Sequence, residues 1–292
     1  MSTTRTQRFG KISCWLGTSL VAMCLATLTG LAFSSFAIAA PQTYTFAVTP
    51  QFEQRKLIAI WIPIVEEMEK RTGLSLKLTS MMSVPDFEKE LAKSTFDFVY
   101  CNPYSIIKSV PSPGYIPLVR DKEPLRGILL VRKDSAITKL SELEGKTVAF
   151  PSPNAIGASL LMRADLARLH HITINPKYVK THSSVYFHVV NGLTDAGGGV
   201  ETTLQEQEPA VRDALRIIYT TREFPSLPVA ANPRVPKSDR EKVRKALLEL
   251  SATEEGKEMF ARVPMQEKIA TSLDDYAPMR AWGLESFWID NY

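Results

Sequence analysis

TVAFPSPNAIGASL, residues 147–160, is the stretch on which the fold turns. Thr147 to Phe150 is a short, β-rich apolar run, and Pro151-Ser152-Pro153 closes it. Asn154 then stands where a helix N-cap belongs, and Leu160, Leu161, Ala164 and Ala167 follow on one helical face. A strand that delivers a helix N-terminus leaves backbone N–H groups unpaired at the corner, a ready place for an anion. Gly157 is expected to let a guest approach the backbone there. The plainer reading is that Asn154 only caps and that water meets the amides.

Upstream, Tyr44 to Val48 reads as a strand, and Leu57, Trp61, Ile64 and Met68 mark a helix that ends at Gly73, with Pro63 as a kink or first turn. Leu74 to Leu78 is a second strand. Ser83-Val84-Pro85-Asp86 starts a short helix through Leu91, and Phe96 to Cys101 is a third strand, apolar apart from Asp97. Tyr115 to Val119 and Gly127 to Arg132 continue the pattern. Downstream, Tyr178 to Lys180 is strand-like, Ser183 or Ser184 is expected to cap a helix through Val190, and Gly192 stops it. Asp195 to Gly199 reads as a glycine-rich bend, Leu215 to Tyr219 as a strand, and Ser238-Asp239-Arg240-Glu241 as a capping box before a helical C-terminal part. Strand and helix alternate in two blocks. The expectation is an α/β protein of two doubly wound lobes with flanking helices, apolar strands in covered parallel sheets, and a ligand cleft between the lobes at the carboxyl ends of strands.

Composition fits this. The 292 residues are 45% hydrophobic and 23% charged, which excludes disorder and a disulfide scaffold. The net charge of +4 is local: Arg5, Arg8 and Lys11 precede every acidic residue, leaving 32 of the 35 basic residues against 31 acidic ones. A nearly neutral body argues against nucleic acid as a partner. Ile12 to Phe52 has no charged side chain, and the basic start, apolar middle and Ala37-Ile38-Ala39-Ala40 end read as a signal peptide cut after Ala39 or Ala40. Export to the periplasm follows, with membrane contact only through a partner or an uncleaved leader. Cys14 and Cys24 leave with the leader, so Cys101 remains alone and no internal disulfide forms.

No nucleophile elbow, phosphate-cradling Gly-x-x-x-x-Gly-Lys or His-Glu-x-x-His occurs, so neither an enzyme, a cofactor nor a metal site is expected. His170-His171 is read as a solvated helix end. Three corners carry the donors: Asn154-Ala155-Ile156-Gly157, His182-Ser183-Ser184, and Tyr100-Cys101-Asn102. Capping by Ser183 or Ser184 and core packing of Cys101 are the plain alternatives.

These corners, in this order after a leader, resemble the periplasmic solute-binding proteins of phosphate, phosphite and phosphonate ABC importers. The resemblance runs from Thr43 to about Phe287. It rests on Phe46-Ala47-Val48-Thr49-Pro50, Phe96 to Tyr100 followed by Asn102-Pro103, Val131-Arg132-Lys133-Asp134-Ser135, Leu143 to Phe150, and Asn191 to Gly197. It implies the two-lobed type II fold, with residues 1–39 as leader, 40–124 and 222–292 as the first lobe and 125–221 as the second. It also implies capture of a small oxyanion for a membrane permease. Where phosphonate binders carry a Ser-Thr-Ser-Gly loop, this chain has Asn154, Ala155, Ile156 and Gly157, so backbone amides replace hydroxyls. His182 matches the family's cleft histidine. Cys101 stands in place of an aromatic residue, a substitution that also resembles arsenite-sensing relatives that report to a membrane histidine kinase; Met81 and Met82 are nearby sulfur atoms or, more simply, packing.

Overall fold

The computed structural model describes residues 42–108, 114–263 and 267–290. The expected leader lies outside them, as do residues 111–113 of the Pro/Gly-rich passage Pro111-Ser112-Pro113-Gly114 that precedes the strand expected at Tyr115. Eleven strands are described: β1 (Thr43–Val48), β2 (Ser75–Ser80), β3 (Phe98–Tyr100), β4 (Ile116–Asp121), β5 (Leu125–Arg132), β6 (Thr147–Phe150), β7 (Asn175–Tyr178), β8 (Ala196–Val200), β9 (Leu215–Phe224), β10 (Val229–Ala231) and β11 (Lys268–Ala270). Between them lie α1 (Gln54–Thr72), α2 (Val84–Ala92), α3 (Pro103–Lys108), α4 (Leu161–Arg168), α5 (His182–Val190), α6 (Glu201–Gln205), α7 (Pro209–Arg212), α8 (Lys237–Ser251) and α9 (Glu254–Phe260).

The strands form two sheets, one per lobe, in the orders β11-β4-β10-β3-β1-β2 and β7-β6-β8-β5-β9. β1 lies parallel between β2 and β3, with Phe46 opposite both Leu78 and Phe98. β6 likewise lies parallel between β7 and β8. The sheets are mixed rather than parallel throughout, because β10 runs antiparallel to β3 and β4, and β5 antiparallel to β8 and β9. A central antiparallel strand covered on both faces is as uniformly apolar as a parallel one, so an apolar run does not show its direction.

Local signals place most boundaries. Ser83 caps α2 by accepting from Asp86 N, and Gly73 ends α1 at φ 67°. Pro63 sits inside α1. Three expectations about caps are corrected. Thr181, not Ser183 or Ser184, caps α5 by accepting from Ser184 N. Asn154 does not cap: Ala155 holds that position with no side-chain bond, and the helix opens with a π-helical turn, Ile156–Leu160, before α4. α8 starts at Lys237, behind Pro236, without a side-chain cap.

The largest correction concerns Asp195 to Gly199, which is not a bend. Residues 196–200 are β8, inside the second sheet between β6 and β5. Its glycines answer to crowding. A Cβ on Gly198 would come within 1.9 Å of the Ala158 carbonyl oxygen, one on Gly199 within 2.4 Å of the Tyr186 hydroxyl, and one on Gly197 within 2.6 Å of Val185. The strand is bare so that α5 and the π-helical turn can close on its two faces.

One hydrophobic cluster runs from Phe46, Trp61 and Tyr100 in the first lobe to Ile156, Leu160 and Phe224 in the second. The lobes therefore meet through apolar contact, each such buried side chain contributing roughly 1.5–3 kcal/mol.

Candidate functional site

β1, β3, β6, β7 and β8 all point their carboxyl ends at the seam between the lobes, where parallel strands hand over to helix starts. A cavity of about 40 Å³ lies there, room for roughly three water molecules. The first lobe contributes Thr49 and Gln51 after β1, Val84, Phe87 and Glu88 from the start of α2, and Asn102 and Ser105 after β3. The second contributes Ala155 to Ala158 after β6, His182 at the start of α5, Val200 at the end of β8 and Phe224 at the end of β9; Leu227 completes the wall.

Hydrogen bonds stitch the lobes beside this cavity. His182 N donates to Gln51 O at 3.1 Å, and Asn102 Nδ2 donates to Asn154 O at 2.6 Å. Asn154 Nδ2 donates to Glu88 Oε2 at 3.1 Å. Asn102 is held for this by accepting from Tyr104 N at 2.9 Å through Oδ1.

The lining corner after β6 is also a helix start. Ser159 N and Leu160 N are the first amides of the π-helical turn to find a helical acceptor, Ala155 O, at 2.8 and 2.9 Å. The amides of residues 156–158 precede them at the helix start, where no intrahelical partner exists. The Ser105 hydroxyl is buried with no hydrogen-bond partner. His182 is buried, its Nδ1 3.4 Å from Thr203 Oγ1, and burial lowers its pKa to about 4. The imidazole is therefore neutral at ordinary pH. Among the described residues, Glu88 is the one carboxylate in the lining, and no Lys or Arg lines it. Positive potential comes from helix starts instead.

Of the residues singled out in the sequence, Asn102, Ala155, Ile156, Gly157 and His182 line the cavity. Tyr100, Cys101, Asn154, Ser183 and Ser184 do not. Tyr100 is buried against Trp61, with ring centroids 4.9 Å apart. Cys101 packs in a first-lobe cluster with Ala47, Val99 and Ile106, and burial pushes its thiol pKa up, so the idea of a ligand-holding thiolate finds no support there. Asn154 stands just behind the lining. Ser184 Oγ lies 2.8 Å from Thr181 Oγ1 and belongs to the cap. Gly157 is required by packing, since a Cβ there would meet the Phe224 ring at 2.6 Å.

Glu88 and Ser105 were missed. The helix signal at Ser83-Val84-Pro85 puts Val84 and Glu88 one turn apart on one face, which was legible. Phe224 and Leu227 carry no local signal.

A second crossing lies nearby. The C-terminal 3-10 turns, Ala277–Trp282 and Leu284–Phe287, run between the lobes. Arg163 donates to Phe287 O at 2.6 Å and Pro153 O at 2.8 Å; Arg168 donates to Gly283 O at 2.7 Å and Trp282 O at 3.1 Å. Tyr104 of the first lobe donates to Glu285 Oε1 at 2.6 Å. Asn154 joins both crossings, since its Nδ2 also donates to Ile289 O and its Oδ1 accepts from Ile289 N.

A family model described as "ABC transporter, phosphonate, periplasmic substrate-binding protein" matches residues 46–276. No curated protein matches the sequence. Among solved structures, the chain is similar to a binding protein component of an ABC phosphonate transporter from Pseudomonas aeruginosa, at 16% identity over 85% of this chain and 87% of that one, with a TM-score of 0.77. It is similar to PhnD1 from Prochlorococcus marinus in complex with methylphosphonate, at 14% identity over 86% and 100%, TM-score 0.76. XAC2383 from Xanthomonas citri, bound to chloride ion, is similar at 15% identity over 84% and 98%, TM-score 0.62. At these identities the likeness is one of fold.

Proposed function

This chain belongs to the periplasmic substrate-binding proteins of phosphonate ABC transporters, and from that premise we propose that it is an exported, non-enzymatic receptor. Its cleft takes a small phosphonate- or phosphate-type oxyanion, and the closed form hands the guest to a membrane permease. Residues 1–39 serve as a leader that export removes. The observation that carries the reading is the cavity at the strand ends of both lobes, lined together by residues 156–158 at a helix start and by Ser105, whose hydroxyl is buried without a partner. Backbone donors at a helix start hold an anion without a cationic side chain. Contacts from both lobes make the affinity depend on closure, which is how a guest shifts such a protein toward its closed form.

Melting of the purified protein with methylphosphonate, phosphite and inorganic phosphate tests this. A ligand at one hundred times its Kd stabilises the native state by about 2.7 kcal/mol. Ala155→Phe fills the cavity and is expected to abolish the shift. No shift with any of the three, or a shift unchanged in Ala155→Phe, overturns the reading.

A further inference from the structure

The cavity crossing continues past His182 to α6, where two cations of the first lobe reach across a gap to the second. α6 starts directly after Val200, which lines the cavity. Thr203, buried in its first turn, ties it to the neighbouring wall: Oγ1 donates to Val200 O at 2.8 Å and lies 2.6 Å from the Tyr186 hydroxyl and 3.4 Å from His182 Nδ1. Between α6 and the first lobe a second cavity, of about 140 Å³, is lined by Thr202, Thr203 and Gln205 on one side and by Phe52, Ala261 and Val263 on the other. Side chains leave this gap unfilled, and charge spans it. Glu206 ends α6, and Lys56, in the first turn of α1, donates through Nζ to the Glu206 carbonyl oxygen while standing 3.8 Å from its Oε2. A cation suits the last carbonyls of a helix. Arg262, just past α9, places Nε 3.8 Å from the same Oε2. The Phe52 ring, its centre 4.7 Å from Lys56 Nζ, helps to hold the ammonium there. The Lys56 and Glu206 side chains are only 20% and 24% exposed, so salt screens the pair in part.

We propose, building on the receptor reading above, that Lys56 and Glu206 are positioning residues that fasten the C-terminal end of α6 to the first lobe when the lobes close, and that through Thr203 they hold the His182 and Val200 wall against the guest. Neither residue lines the guest cavity. One partner belongs to each lobe, so the contact exists only while the lobes are together. It slows opening and leaves the first encounter with the guest unchanged. Lys56 acts twice, on a carboxylate and on a main-chain carbonyl that no substitution at 206 removes. Arg262, half exposed, acts on the carboxylate alone.

Stopped-flow tryptophan fluorescence with methylphosphonate, which gives capture and release rates separately, tests this. Glu206→Gln keeps the carbonyl and loses the ion pair, and is expected to speed release by about threefold. Lys56→Met loses both contacts and is expected to speed release by at least about tenfold, with capture unchanged in either variant. Lys56→Arg, which keeps charge and donors, is expected to return release toward the parent rate. The gap between the parent and Glu206→Gln is expected to narrow in high salt, since only the parent has this ion pair to screen. Release unchanged in Lys56→Met, or capture slowed as much as release is quickened, overturns the proposal and leaves the receptor reading standing. If neither methylphosphonate nor phosphate binds the parent, the receptor reading falls, and small-angle scattering decides on the fastening by itself. A larger radius of gyration in Lys56→Met than in the parent then supports it, and equal radii overturn it.

Discussion

The two places where the lobes meet are built from opposite materials. At the cavity the wall is largely apolar, the imidazole of His182 is neutral, and among the described residues no Lys or Arg lines it. At the C-terminal crossing the contacts are polar and cationic: Arg163 and Arg168 fan out over the carbonyls of residues 282, 283 and 287, and Arg168 lies 4.8 Å from the centre of the Phe287 ring. The guanidinium groups secure chain to chain. The two crossings thus use separate sets of residues, with Asn154 bonded to both Glu88 and Ile289.

Asn154→Ala attacks the shared residue. It removes the bond to Glu88 and both bonds to Ile289, all three half-buried, and is expected to lower unfolding free energy by about 3 kcal/mol in chemical denaturation. A loss well below that would mean that the two crossings are independent.

Mild acid probes the cavity side through His182. His182 has a folded pKa of about 4 against an ordinary 6.5, so between these values the unfolded chain binds more protons than the native one. Stability should be complete above pH 6.5 and fall as pH drops toward 4, by about 3 kcal/mol in total. His182→Asn should flatten that part of the pH profile while carboxylates elsewhere keep theirs.

Arg163→Met probes the other side. It keeps the aliphatic stem but leaves the carbonyls of Pro153 and Phe287 without their donor, at a cost of about 2 kcal/mol, and the melting shift with methylphosphonate should stay at the parent value. A changed shift would show that the C-terminal crossing reaches the cavity. The smallest effect belongs to Thr181→Ala, which removes the α5 cap for about 1 kcal/mol in thermal melts and should leave the C-terminal crossing unaffected.

The legible part of this protein is its short-range part. Ser83 and Pro85 announce α2, Gly73 and Gly192 stop α1 and α5 at positive φ, and the Thr147–Phe150 run with its prolines marks β6 and the corner after it. Asn102, Ala155, Ile156, Gly157 and His182 were reachable because strand ends followed by helix starts can be seen in composition. The glycines of β8 were misread because their cause is the Ala158 carbonyl and the Tyr186 ring, which lie far along the chain. Asn154 looked like a cap because its partner, Ile289, is 135 residues away.

Periodicity, caps and turn residues were enough for the α/β alternation and for the corners where a guest could sit, since those features depend on neighbours within a few residues. Which strands pair, that Cys101 faces a core, that Glu88 borders the cavity and that the arginines serve the C-terminal crossing were settled by packing. Each of those outcomes depends on burial and on contacts between segments far apart along the chain, and no local pattern encodes them.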